Sequence, residues 1–192
     1  MINRVFCLKR GEKVKTILLS GVHGVGKGYF IEKVRNEING YSIYSASSII
    51  SQYKCAMDAG YKKVSDVNRN QDILINALVE VQKREERNIL LDGHICVYNS
   101  DGIVERIPEY FFSQANINGI LLLQDSAEEV VKRIAQRDSR VICVDNIEKM
   151  QTEEERYARE LAERYKIRYR IITHDCSRDE FEKILNELGG NL

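Results

Sequence analysis

Residues Gly21-Val22-His23-Gly24-Val25-Gly26-Lys27-Gly28 constrain this chain more than any other stretch. They follow an apolar run, Thr16-Ile17-Leu18-Leu19-Ser20, with the length and composition of a buried strand. They lead into Tyr29, Phe30, Ile31, Val34 and Ile38, a spacing that places apolar side chains on one helical face. Strand, glycine-rich loop and helix start together form the setting in which such a loop cradles phosphate. The glycines permit a tight turn that brings successive N–H groups up to phosphate oxygens. The helix start adds unpaired donors and the positive end of its dipole. Gly21 to Tyr29 therefore read as an ATP-binding segment, with Lys27 reaching the outer phosphates. After Gly-Lys such loops mostly carry Ser or Thr, whose hydroxyl holds magnesium. Here Gly28 takes that place, with Tyr29 behind it.

The 192 residues suffice for one domain with a sizeable core. Lysine plus arginine equals aspartate plus glutamate, 29 against 29, so no global field draws nucleic acid or membrane to the chain. No apolar run approaches a membrane span. The apolar core at the N-terminus is too short for a secretory signal, which makes a cytoplasmic location the default expectation. Five cysteines, at 7, 55, 96, 143 and 176, are scattered and unpaired in spacing, as suits free thiols in a reducing compartment. They also argue against a structural zinc site, which needs paired ligands.

Along the chain, strands alternate with helices. Tyr41 to Ser45, Asn88 to Asp92, Gly119 to Gln124 and Tyr169 to Ile172 read as four further strands, and residues 1–10 as a short extra one. The first helix should end near Asn39-Gly40. Ser47 to Arg87 is polar and largely helical, residues 93–107 read as irregular, and Pro108 opens a short helix. Capping boxes at Ser126–Glu129 and Ser177–Glu180 start two more helices. Glu153 to Tyr165 is another, and Gly189-Gly190 stops the last. This alternation implies an α/β fold with a five-stranded parallel sheet, helices on both faces, and the phosphate loop at the carboxyl end of the first strand. One domain, 1–192, is expected, with a short lid over about 137–155.

Several other positions can carry chemistry. Asp92 ends a buried strand, where a carboxylate can hold magnesium through water. Arg133, Arg137 and Arg140 are spaced by four and three, so they share one helical face or its extension. Three guanidinium groups there suit a transferring phosphoryl group, although a solvated face would show the same spacing. Arg156, on the next helix, is a further phosphate contact, nearer the lid than Arg159. Nothing resembles a nucleophile–base pair, and direct transfer needs none, since positioning and charge stabilisation carry it.

The Gly-x-x-Gly-x-Gly-Lys-Gly loop, Asp92-Gly93 and the run from Leu121 to Arg140 resemble adenylate kinases and related nucleoside monophosphate kinases, above all the short-lidded archaeal type. That resemblance implies a three-layer P-loop NTPase fold, ATP and Mg2+ as cofactors, and small-molecule nucleotides as partners. It places an acceptor-binding insertion at about 45–87, with Ser47 supplying a hydroxyl. Arg69 would hold the acceptor's phosphate and Gln71 its base edge, although Ser47 reads equally as a helix cap and Arg69 as a surface residue. His94 reads either as an acceptor contact or as a structurally satisfied histidine. Thr173 to Cys176, with His174, would border the adenine. The implied activity is transfer of the γ-phosphoryl group of ATP to a nucleoside monophosphate. The chain departs from the family at Tyr29, where Thr is common, and at His94-Ile95-Cys96, where Phe-Pro-Arg usually follows Asp-Gly. The second departure keeps other acceptors open: a nucleoside, a cofactor precursor or a nucleic-acid end. An ATPase or switch without an acceptor is the rival from another class.

Overall fold

A computed structural model describes residues 13–35, 38, 40–57, 67–99, 102–138 and 142–189, with the side chains of 54–57 and 67–69 outside that description. The expected extra strand at 1–10 lies outside the described residues, as do Asn39, Arg140 and Gly190.

Five parallel strands form one sheet: β1 (Thr16–Ser20), β2 (Tyr41–Ser45), β3 (Asn88–Asp92), β6 (Ile117–Leu123) and β7 (Arg168–Ile172). Their order is β2-β3-β1-β6-β7. Every residue of β1 is buried, as a central strand covered on both faces must be. Its side chains alternate. Thr16 accepts from Gln82 of α3 (Val67–Arg84) and Ser20 bonds Glu154 of α6 (Val144–Tyr165), so both look to one face. Ile17 borders Gly119 together with Leu188 of α7 (Arg178–Gly189), on the other face.

Helix α1 (Lys27–Val34) joins α7 there, and the Phe30 and Phe181 rings meet edge to face at 5.0 Å. Helix α4 (Tyr110–Gln114) packs against α6, with Phe112 edge-on to Tyr157 at 6.0 Å. Helix α2 (Ala46–Met57) lies against α3, and α5 (Ala127–Asp138) against α6. The expected caps form: Ser126 Oγ accepts from Glu129 N at 3.3 Å and Ser177 Oγ from Glu180 N at 3.3 Å.

Three readings need correction. Residues 93–107 are not irregular: β4 (Cys96–Tyr98) and β5 (Val104–Arg106) pair antiparallel, too short for a visible alternation. The hairpin is held to α6 by Arg106, which pairs with Glu153 and Glu160 and lies 4.5 Å above the Tyr157 ring. Helix α1 ends at Val34, well before Gly40. Helix α6 starts at Val144, nine residues before the expected Glu153. Its buried stripe runs Ile147, Met150, Glu154, Tyr157, Ala158 and Leu161, and the acid within that stripe hid the first turns from a hydrophobic pattern. Residues 144–155 of the expected lid are thus helix.

Candidate active site

The loop expected to hold phosphate sits where β1 ends and α1 begins. Lys27, Gly28 and Tyr29 open α1, so their N–H groups have no partner inside the helix, and Phe30 N to Gly26 O at 3.0 Å is the first helical bond. Gly24 and Gly26 have φ of 84° and 97°. Both are also packed from behind. A Cβ on Gly24 would lie 2.3 Å from Ile134 Cγ1, and one on Gly26 would lie 2.9 Å from His174 Cε1. Glycine is required twice over, for the left-handed backbone and for the space. At Gly28 an added Cβ meets nothing within 4 Å.

Lys27 is buried, 8% exposed. Its Nζ donates to Gly21 O at 3.0 Å and to His94 Nε2 at 2.8 Å, and it stands 3.9 Å from Asp92 Oδ1. Burial pulls the Lys27 pKa down, while Asp92 and Glu154 oppose it. Burial also pushes His94 down, to about 3, with Lys27 and His23 adding to the effect. His94 is therefore a neutral acceptor for the amine. Asp92 is raised by burial against the pull of Lys27.

Glu154, invisible as a site residue in sequence, lies beneath the loop at 2% exposure. Ser20 Oγ donates to Glu154 Oε1 at 2.9 Å and accepts from Ile95 N at 3.0 Å. One hydroxyl thus ties α6, the end of β1 and the segment after His94 together. Burial raises Glu154 to about 7, against the Ser20 hydroxyl and Lys27. An acid inside the apolar stripe of α6 was the signal that could have found it.

Behind the loop, Arg133 donates to Val25 O at 2.7 Å and pairs with Asp125, and His174 Nε2 donates to Val25 O at 2.7 Å. Arg133 therefore braces the loop through its carbonyls, a role that Asp125 completes and that spacing alone did not reveal. Arg137 bonds His23 across the loop and pairs with Asp138 at 2.7 Å. Arg156 pairs with Glu153 at 2.6 Å on the exposed side of α6, two residues round from the buried Glu154, and so faces away from the loop. Arg140 and the Arg69 side chain lie outside the described residues.

A cleft of about 530 Å³ is lined by Gly24, Gly26, Lys27, Asp92, Arg133 and Arg137, among others. A second cavity of about 340 Å³ lies between α2, α3 and the ends of β1 and β3. Ser47, Asn70, Gln71, Asp92 and His94 line it, so three of the expected acceptor positions, Ser47, Gln71 and His94, meet there with Asp92. Ser45, not Ser47, caps α2: its Oγ accepts from Ser48 N at 3.4 Å and lies 2.9 Å from Ser47 Oγ. Asp92 and His94 belong to both cavities. Asp92 stands beside Leu19 of β1 and Ser45 of β2 in the sheet register, which brings the carboxyl ends of three strands to one point.

Residues 20–151 match a family described as an AAA domain. The chain belongs to this AAA domain family. Many solved structures are similar to it in fold. A gluconokinase from Sinorhizobium meliloti 1021 is 13% identical over 91% of this chain and 93% of its own, with a TM-score of 0.50. The tunicamycin resistance protein of Deinococcus radiodurans is 10% identical over 80% of this chain and 96% of its own, with a TM-score of 0.52. No curated protein matches the chain. The AAA domain has the α/β phosphate-loop fold, and the expected likeness to adenylate kinases is carried at that coarser level. No described helix is long and apolar enough to cross a membrane. Among the described residues Cys96, Cys143 and Cys176 are free thiols.

Proposed function

We propose that this AAA domain is an ATP-dependent phosphotransferase acting on a small acceptor. The observation that carries the reading is the pair of cavities that share Asp92 and His94, with the Lys27 amine at their meeting point. The triphosphate suits the larger cleft. Its outer phosphates would meet the N–H groups of Gly26 to Tyr29 and the Lys27 amine, now parked on Gly21 O and His94. Magnesium, when bound beside the phosphates, neutralises charge on the transferring group; Asp92 would hold it through water. Arg137, beside His23 at the cleft mouth, is placed to meet charge on the γ-phosphoryl group. Arg133 and Asp125 keep the loop carbonyls turned away from it.

An ATPase or switch would not need the second cavity, which favours the kinase reading. The nucleoside monophosphate implied by the adenylate kinase resemblance is one class of acceptor for that cavity. ADP formation with and without added acceptor, using Lys27→Ala as control, is the test. We expect stimulation by an acceptor in the wild type and a loss of at least about a hundredfold in Lys27→Ala, with unchanged circular dichroism. Equal ADP formation without acceptor would place the protein among ATPases, and retained turnover in Lys27→Ala would sink the assignment.

A further inference from the structure

The wall of the second cavity indicates which class of acceptor it takes, an inference that rests on the kinase reading above. Asn70, in the first turn of α3, lines this cavity, and its buried Oδ1 has no hydrogen-bond partner among the described residues. A buried carbonyl oxygen left unpaired is costly, so this one is placed to receive a donor. Asp92 adds a carboxylate to the same wall. Ser45 and Ser47 add hydroxyls 2.9 Å apart, which accept as readily as they donate. His94, on the same wall, has its Nε2 taken by the Lys27 amine at 2.8 Å. Leu18, Ile50, Leu74, Val97 and Phe111 complete an apolar floor.

An anionic acceptor would bring its charge against a carboxylate and an unpaired carbonyl oxygen in a partly desolvated cavity, where like charges repel strongly. A hydroxyl group supplies what those atoms lack. We infer that the acceptor is a neutral alcohol, a nucleoside or an uncharged polyol, bound by its O–H donors to Asn70 Oδ1 and the Asp92 carboxylate with its apolar face on the floor. In the reaction the acceptor oxygen forms a bond to the γ-phosphorus of ATP and the bond from that phosphorus to the β,γ-bridging oxygen breaks. The products are a phosphomonoester and ADP, and the hydroxyl proton, held by Asp92 until transfer, leaves to water.

The test pairs each neutral compound with its own phosphate: adenosine, cytidine, guanosine, uridine and glucose against their 5′- or 6-monophosphates. Each is incubated with wild-type protein, ATP and magnesium, with ADP and 31P NMR as readouts. The expected result is that one or more neutral members raise ADP formation at least tenfold and yield a phosphomonoester, while their phosphorylated twins do not. Asn70→Ala should then raise the acceptor KM about tenfold, with the KM for ATP unchanged; a lowered kcat at constant acceptor KM would count against the contact. Diphosphate formed from any monophosphate twin overturns the inference but leaves the kinase reading standing. Stimulation by no neutral member likewise overturns it. ADP formed at one rate with every addition and with none removes the kinase reading itself.

Discussion

Glu154 is the residue whose chemistry departs furthest from its surroundings. A carboxyl buried to 2% exposure and raised to about 7 from its usual 4.5 binds its proton more tightly in the folded chain than in the unfolded one. The folded state therefore holds more protons between those two values, and stability falls as pH rises across them. The contribution is full below pH 4.5 and lost above about 7. Glu154→Gln keeps an acceptor for the Ser20 hydroxyl and removes the titration, so its urea midpoint should vary less with pH over that window than the wild type's. Parallel pH curves for the two proteins would refute it. A second residue prediction concerns Gly28, where an added Cβ meets nothing within 4 Å. Gly28→Ser should fold as the wild type and place a hydroxyl where phosphate loops commonly hold magnesium, lowering the magnesium concentration needed for half-maximal turnover. An unchanged magnesium requirement would mean that water and Asp92 already serve that position.

At the scale of elements, the loop is shaped from behind by α5 as much as by its own glycines. Ile134 fills the space beneath Gly24, and Arg133 holds Val25 O from the same helix. Gly24→Ala meets Ile134 Cγ1 at 2.3 Å and must also hold a φ of 84°, so it should cost about 1–3 kcal/mol and weaken ATP binding. Adding Ile134→Ala removes the clash but not the backbone strain. Denaturant titrations of both single variants and the double should show the second change partly rescuing the first. Strict additivity would mean that backbone conformation alone carries the cost. The strand–loop–helix unit was legible because its signals are local: an apolar run, glycines and a lysine within thirteen residues, Thr16 to Gly28. The hairpin β4–β5 was not, because three-residue strands are stabilised by α6, which lies elsewhere in sequence.

For the whole molecule, one continuous core runs from Val14 through the central strands to Leu188. A single cooperative unfolding transition is expected, and a ligand that binds only the folded state must raise its midpoint. At a hundred times its Kd, ATP with magnesium should stabilise the protein by about 2.7 kcal/mol, roughly 5–11 °C in a chain of this size. Lys27→Ala should lack most of that shift in differential scanning calorimetry. The same shift in both proteins would place the nucleotide somewhere other than the glycine loop.

By itself the sequence determined the α/β class, the phosphate loop and the acid that ends β3, because each rests on residues close together along the chain. Tertiary structure alone decided the rest. It turned Arg156 outward, joined Glu154 to Ser20 across 134 positions, and set Asn70, Ser45 and Asp92 around one cavity. Such contacts depend on which helix face meets which strand end, and that is settled by packing of the whole core rather than by any local spacing.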